Sequence, residues 1–221
     1  MARLPRLVLP GHAHYVIQRG LPGHSAFVDE IDRRIYLAHL REAAALHRVQ
    51  THAWALLPDE VQLLLTPADA TALGLCIQAI GRSYVSAYHR RHAGKGTLWD
   101  GRYRAGVVEP GPLRLTVLAM IDGRSSEPGW TSAAHRLGGP RDVALTDPPE
   151  FWSLGNTPFE REGAYRQHLF APAPAETTAA LRRAALGGWP VASPAFAHAL
   201  SAEMGRPSRP RSAGRPRLPA R

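Results

Sequence analysis

Two short apolar segments separated by only three residues constrain the fold of this chain more than any other feature. Residues 52–57 and 61–66 each have the length and apolar content of a buried β-strand, and the Pro-Asp-Glu sequence at 58–60 is typical of a turn. Strands joined this closely pair as an antiparallel hairpin. Helical patterns flank the hairpin on both sides, which indicates a sheet combined with helices.

The remaining segments complete this pattern. Residues 14–19 predict a first strand, and residues 102–109 predict a fourth. Apolar residues recur at helical spacing in segments 29–48 and 71–92, and a third helix is predicted over 112–122, with a proline near its start. The order β-α-β-β-α-β-α predicts an α+β fold, with a ferredoxin-like antiparallel sheet and helices on one face.

The composition changes after residue 122, and this change suggests the domain boundaries. We expect one α+β domain over residues 1–122 and an irregular linking region, rich in Gly, Ser, Pro and Asp, over 123–158. A small extension of three short helices is predicted over 159–204. The tail, 205–221, contains six arginines, four prolines and no acidic residue, a composition typical of disorder.

The chain carries a formal net charge of +9, from 27 Lys and Arg residues against 18 Asp and Glu residues. This surplus favours a polyanionic partner, nucleic acid first and an anionic membrane surface second. Six of the nine charges lie in residues 206–221, so residues 1–205 carry only +3. Lys95 is the only lysine. Arginine binds phosphate through two parallel hydrogen bonds, although a GC-rich genome also explains so much arginine.

Several classes of protein are excluded by composition. Cys76 is the only cysteine, so the chain has neither an internal disulfide nor a cysteine-rich zinc module. No segment approaches the roughly eighteen apolar residues that a membrane-spanning helix needs, and residues 1–10 lack the apolar core of a secretory signal. We therefore expect a cytoplasmic protein that does not contact membranes.

Short motifs along residues 1–109 carry a resemblance to a known family. They include His-Tyr-Val-Ile-Gln-Arg-Gly at 14–20, Leu-Leu-Leu-Thr-Pro at 63–67 and, most specific of all, Gly-Thr-Leu-Trp-Asp-Gly-Arg-Tyr-Arg at 96–104. Leu-Gly-Gly-Trp follows at 186–189. In this order the motifs resemble those of the REP-associated tyrosine transposases, which are single-tyrosine transposases of the HUH superfamily.

That resemblance implies an enzyme that nicks and joins single-stranded DNA and recognises small hairpins. In the family, two histidines on one strand bind a divalent metal ion, and a tyrosine on a nearby helix attacks the scissile phosphodiester to form a 5′-phosphotyrosine. Side chains two residues apart on a strand share one face, so both histidines reach one ion. Here Glu60 and Gln62 occupy the histidine positions, and the tyrosine position falls near Met120.

Replacement of all three positions predicts a DNA-binding protein whose nicking and joining chemistry, and with it DNA transposition, is lost. We expect hairpin or single-stranded DNA as the partner, no catalytic residue and no cofactor. Mg²⁺ or Mn²⁺ binds only if Glu60 and Gln62 still offer oxygen ligands. Two alternatives stay open, an active transposase with a rearranged metal site and an RNA-binding module on the same scaffold. The sequence does not define the oligomeric state.

The candidate DNA-binding residues are cations and aromatic side chains near these motifs. Segment 90–97 concentrates cations and glycines, although cations also suit an ordinary helix C-terminus. Trp99 and Tyr103, beside arginines, are typical of stacking on unpaired bases or of packing in the core. In the tail, Gly-Arg-Pro resembles the minor-groove insert of AT-hook peptides. The predicted set is Arg19, Arg82, Arg90, Arg91, Lys95, Trp99, Arg102, Tyr103, Arg104, Arg206, Arg215 and Arg217.

Overall fold

The structure is a computed structural model that describes residues 6–124, 129–205 and 207. The predicted tail, with Arg206, Arg215 and Arg217, lies outside the described residues except for Gly205 and Pro207. The first part of the chain forms, in order, β1 (His14–Arg19), α1 (Glu30–Leu46), β2 (Val49–Leu57), β3 (Glu60–Pro67), α2 (Ala72–His92), β4 (Arg104–Val107) and α3 (Pro112–Asp122).

The four strands form one antiparallel sheet in the order β2-β3-β1-β4. Strand β1 lies between β3 and β4, and Ile17 is paired with Gln62 on one side and with Arg104 on the other. This strand order, with helices in the two crossovers, is the ferredoxin-like arrangement. The predicted α+β class and the antiparallel sheet are therefore confirmed.

Strand β4 is shorter than the predicted 102–109. Before it, Gly101 turns the chain with a φ of 72°, a conformation that favours glycine. After it, the backbone N–H of Glu109 donates to the carbonyl oxygen of Val191 rather than to a neighbouring strand. Strand β4 therefore ends where Val191, from the C-terminal part of the chain, forms backbone hydrogen bonds with residues 107 and 109.

One face of the sheet is covered by α1 and α2. Asp29 caps α1 by accepting a hydrogen bond from the backbone N–H of Asp32 at 3.0 Å. The predicted apolar stripes of both helices are buried except for Tyr88, which is half-buried. Tyr36, Tyr84 and Trp99 pack there with ring centroids 5.2 to 6.3 Å apart. These aromatic rings belong to the larger of the two hydrophobic clusters that flank the sheet.

The opposite face is covered by α3 and by helices from the C-terminal part of the chain, so the helices do not lie on one face alone. Tyr15, Ile17 and Leu64 point to this side and are wholly buried. Strand β1 is thus buried on both faces and needs a cover on each. The covering helices are α4 (Pro149–Trp152), α5 (Pro158–Phe170) and α6 (Ala175–Gly187), and α7 (Pro194–Met204) follows them beside β4.

The segment predicted as a linking region contains a 3₁₀ helix (Ser132–Arg136), and buried charges tie this helix to the end of α3. The Arg136 guanidinium contacts Asp122 Oδ2 at 3.0 Å and Asp147 Oδ1 at 2.9 Å. The Tyr165 hydroxyl also donates to Asp122, at 2.6 Å. The division into domain, linking region and extension stays a prediction. Within the described ranges no helix is both long and apolar enough to cross a bilayer.

Candidate nucleic-acid interface

The two predicted metal-ligand positions lie in a hydrogen-bonded cluster that we call the Glu60 network (Tyr15, Glu60, Gln62 and Arg182). Glu60 and Gln62 share a face of β3, as their spacing predicts. Gln62 Nε2 donates to Glu60 Oε1 at 2.6 Å, and the Tyr15 hydroxyl donates to Gln62 Oε1 at 2.6 Å. From α6, the Arg182 guanidinium binds both carboxylate oxygens, with Nη1 2.5 Å from Oε1. This two-point contact is the strongest form of an arginine–carboxylate pair.

The protonation states of this network follow from its contacts. Burial by itself raises the pKa of Glu60, but hydrogen bonds from Arg182 and Gln62 outweigh it and hold that pKa below its usual value. Burial raises the pKa of Tyr15 to about 12. At neutral pH the carboxyl is therefore ionised and the phenol is not. A phenol in that state is a poor nucleophile.

A divalent metal site does not fit these residues. Both oxygens of Glu60 are bound by Arg182, and Gln62 Oε1 accepts a hydrogen bond from Tyr15. The guanidinium already places a positive charge on the only carboxylate of the network. In the part of the chain that the structure describes, no group of three His, Cys, Asp or Glu side chains is placed to hold a metal ion.

Met120 lies half-buried on α3, and it faces a different cavity from the cleft described next. This cavity has a volume of about 540 Å³, and its lining includes Thr116, Arg124 and His168. The thioether of methionine cannot replace a phenol as a nucleophile toward phosphorus. That Met120 is the counterpart of the family tyrosine stays a prediction.

Beside Glu60, the ends of β1 and β4 line a cleft of about 440 Å³ that we call the arginine cleft. Its opposite wall is formed by residues 186–189, which include the end of α6. Asp100 is the one acidic side chain among its described lining residues. Four arginines line the cleft: Arg6, Arg19, Arg102 and Arg104. Such a concentration of guanidinium groups attracts phosphate.

The sheet positions these arginines. Arg19 ends β1, two residues after Ile17 and therefore on the same face, and Arg104 begins β4 directly opposite Ile17. The turn at Gly101 brings Arg102 to the same edge. Arg19 thus meets Arg102 and Arg104, more than 80 residues further along the chain, at one corner of the sheet.

The exposure of these side chains leaves them accessible to a ligand. The Arg19 side chain is 46% exposed, and its Nε lies 3.5 Å from Glu60 Oε2. The side chains of Arg102 and Arg104 are exposed and make no hydrogen bond or ion pair with any described residue. The cleft therefore presents charge that the fold itself does not neutralise.

The second wall of the cleft is held close to β4 by glycines. Gly188 ends α6 in the left-handed conformation, with a φ of 74°, and the Trp189 N–H donates to the Ala184 carbonyl at 2.9 Å. A Cβ at Gly106 would overlap the carbonyl oxygen of Trp189. Glycine at 106 therefore lets this wall approach the sheet.

Trp99 and Tyr103, for which both base stacking and core packing were open, are packed in the core. Trp99 is 6% exposed and packs on Tyr36 and Tyr84. Tyr103 is 8% exposed, and the Arg6 guanidinium lies 4.0 Å above its ring. Neither ring presents an open face to a base in this arrangement, so their contact with DNA stays a prediction.

The other predicted cations within the described residues lie on α2 and in the loop after it, on the face of the sheet that α1 and α2 cover. Arg91 Nη2 contacts Asp29 Oδ2 at 2.7 Å, and Arg91 also contacts Asp32. The hydrogen bond from Arg91 lowers the pKa of Asp29 to about 2, so these groups are engaged with each other. The remaining cations are exposed and form no ion pair within the described ranges: Arg82, Arg90 and Lys95.

Three parts of the site were not predicted from the sequence. Arg182 contacts Glu60 across 122 residues, and nothing in the local pattern of α6 indicates this contact. Residues 186–189 form one of the motifs of the family resemblance, and Arg6 lies in the segment 1–109 that carries the others, but no role was predicted for either. For residues 186–189, membership in a motif was the signal that could have indicated a site.

Comparisons with known proteins give limited results. No family model and no curated protein matches the sequence. Among solved structures, a REP-associated tyrosine transposase bound to a REP hairpin is 13% identical, with a TM-score of 0.47 over 59% of this chain and 76% of that chain. A crystal structure described as a "putative transposase" from Deinococcus radiodurans R1 is 23% identical, with a TM-score of 0.37 over 57% of this chain and 97% of that chain. At these TM-scores neither similarity assigns the chain to a family.

Proposed function

We propose that this protein binds DNA, as a hairpin or a single strand, through the arginine cleft, and that it lacks the nicking and joining chemistry of the tyrosine transposases. The observation that carries the proposal is the cleft itself, where four arginines converge at one corner of the sheet. The motif resemblance selects hairpin and single-stranded DNA as the forms to test.

The cleft has the chemistry of a phosphate site. Arg19, Arg102 and Arg104 expose guanidinium groups, whose planar forks match the oxygens of a phosphodiester. The Gly-Gly sequence at 187–188 lets a backbone approach without side-chain obstruction. A volume of about 440 Å³ is within the range of roughly 300–1,000 Å³ for sites that enclose one small ligand. This size suits a nucleotide of an unpaired segment or a hairpin end.

The loss of chemistry is inferred from the Glu60 network. Its carboxylate is bound by Arg182, and its tyrosine, Tyr15, is buried with a raised pKa. Tyr84 is no substitute, because it is wholly buried and its hydroxyl donates to the Ala26 carbonyl at 2.6 Å. An attacking tyrosine must reach a phosphorus atom in the solvent-accessible cleft, which neither side chain does.

Binding is tested by fluorescence anisotropy with four labelled probes, a DNA hairpin, an unstructured strand of the same composition, a blunt duplex and a hairpin RNA. We expect the hairpin or the single strand to bind more tightly than the duplex at every salt concentration. The double variant Arg102→Gln/Arg104→Gln should bind several-fold more weakly, with a shallower salt dependence. Arg34→Gln is the matched control, because Arg34 is exposed on α1 away from the cleft.

Absence of binding to all four probes overturns the proposal, and so does equal binding by the cleft variant and the control. A preference for the hairpin RNA would instead identify an RNA-binding module.

Chemistry is tested by incubating labelled hairpin DNA with the protein and Mg²⁺ or Mn²⁺, followed by denaturing electrophoresis. We expect no covalent adduct and no cleaved strand. An adduct that disappears in Glu60→Ala and Gln62→Ala would establish an active transposase with a rearranged metal site.

A further inference from the structure

We propose that Arg182 is a positioning residue of the arginine cleft, which, by neutralising Glu60, keeps Arg19 available to bind a nucleic-acid phosphate. The inference rests on the proposed function, since it concerns the same cleft. Its basis is the arrangement of two guanidinium groups around a single carboxylate.

Glu60 lies between the two arginines. Arg182 holds it at two points, with Nη1 2.5 Å from Oε1, whereas Arg19 Nε is 3.5 Å from Oε2. The carboxylate is buried, while the Arg19 side chain remains 46% exposed and lines the cleft. One buried carboxylate needs one cation, and Arg182 supplies it.

Loss of the Arg182 guanidinium would change the partner of Glu60. The other members of the network, Tyr15 and Gln62, are neutral, so they cannot balance the charge. Arg19 is directly opposite Glu60 in the pairing of β1 with β3, which makes it the next cation. We therefore expect Arg19 to turn onto Glu60 and to withdraw from the cleft.

A purely structural role for Arg182 predicts something different. Helix α6 has only Ala185 wholly buried, so the ion pair with Glu60 anchors a weakly packed helix. Residues 186–189, which include the end of α6, form the second wall of the cleft. If Arg182 only holds this wall, removal of Glu60 as well cannot restore binding.

The test is a double-mutant cycle of Arg182→Met and Glu60→Gln, read out as DNA affinity at several salt concentrations. Arg182→Met should bind several-fold more weakly, and the slope of log K against log salt should be shallower by about 0.7 to 0.9, the change expected for one phosphate contact. The double variant should recover both quantities, because no carboxylate remains to hold Arg19. Glu60→Gln alone should bind at least as tightly as the natural protein.

The matched control is Arg114→Met. Arg114 also binds a carboxylate at two points, with Nε 2.7 Å and Nη2 2.6 Å from the oxygens of Glu150, and it is similarly buried but lies outside the cleft. We expect its loss to lower the melting temperature and to leave the salt slope unchanged.

Each outcome decides the inference. Equal weakening in Arg182→Met and in the double variant overturns it, as does unchanged binding by Arg182→Met. If Arg182→Met does not fold, weaker binding by Glu60→Gln overturns the inference in its place. If the natural protein binds no DNA, the proposed function fails, but the inference about Arg182 can still be tested without a ligand. The ¹⁵N resonance of Arg19 Nε should shift in Arg182→Met and return to its original position in the double variant.

Discussion

Replacing Arg136 by methionine removes the positive charge that contacts Asp122 and Asp147 in the protein interior. The Arg136 side chain is wholly buried, and its guanidinium contacts Asp122 at 3.0 Å, Asp147 at 2.9 Å and the backbone carbonyl of His52. Methionine keeps much of the volume and flexibility of the arginine stem. The variant therefore measures lost charge and hydrogen bonding more than lost packing.

The expected loss follows from the partners that remain. Breaking a buried ion pair costs about 3–5 kcal/mol, because it leaves an uncompensated charge. Asp122 still accepts hydrogen bonds from Ser132 and Tyr165, and Asp147 retains His135 at 3.3 Å. We therefore expect about 3–5 kcal/mol in total rather than twice that amount. Domains are typically stable by about 5–15 kcal/mol, so the variant should lose a large share of its stability.

Urea unfolding followed by circular dichroism measures this change, with Arg34→Met as the control. Arg34 pairs with Glu30 at 3.2 Å on the surface, with 73% of its side chain exposed, so its loss should stay within about 0.5 kcal/mol. A loss below about 1 kcal/mol in Arg136→Met would refute the reasoning. Since Arg136 joins the predicted linking region to the sheet, we also expect one transition. Two transitions would show that the C-terminal part unfolds separately.

Three further predictions concern pH, the cleft wall and the tail. Burial lowers the pKa of His14 from 6.5 to about 4, so between these pH values the unfolded chain binds more protons than the folded chain. The free energy of unfolding should therefore fall by up to roughly 3 kcal/mol as the pH drops from about 6.5 to 4. Acid unfolding of His14→Gln should show a smaller fall, and an equal fall would contradict the assignment to His14. Gly106→Ala should lower stability by about 1–3 kcal/mol and weaken DNA binding, because the added Cβ displaces Trp189. The control is Gly81→Ala, on α2 with open space around it, which should bind DNA unchanged and be equally or slightly more stable. Thermal unfolding and fluorescence anisotropy compare the two variants. Removal of residues 206–221 deletes six arginines and should flatten the salt dependence of binding while preserving hairpin preference; loss of that preference would place the hairpin-recognising residues in the tail.

The elements of the fold were predictable wherever the signal is local. Strand β1 and helix α3 have the predicted bounds, and α1 begins directly after Asp29, the first residue of the predicted helical segment 29–48. The C-terminal end of β4 was predicted too late because the hydrogen bonds that join residues 107 and 109 to Val191 link segments far apart in sequence. The cover on the second face was missed for a similar reason, since no local pattern states which helix packs on Tyr15.

The candidate site was only partly predictable. The motifs indicated three of the cleft arginines, Arg19, Arg102 and Arg104, because each lies within a recognisable string. The pairing of Glu60 with Arg182 joins residues 122 positions apart, and that of Arg91 with Asp29 joins residues 62 apart. Such pairs form only once the chain has folded, so a charge count along the sequence cannot tell an engaged arginine from an available one.

The central place of β1 in the sheet has a consequence for how the chain is made. His14, near the start of the chain, pairs with Leu65 of β3 and with Val107 of β4. On the ribosome, β1 therefore emerges long before either neighbour. The β2–β3 hairpin, by contrast, has both strands within one short segment and can form early, since closing a short loop is fast. Of the four strands of this sheet, β1 is thus synthesised before the others and is among the last to be fully paired, and its apolar residues need protection in the interval.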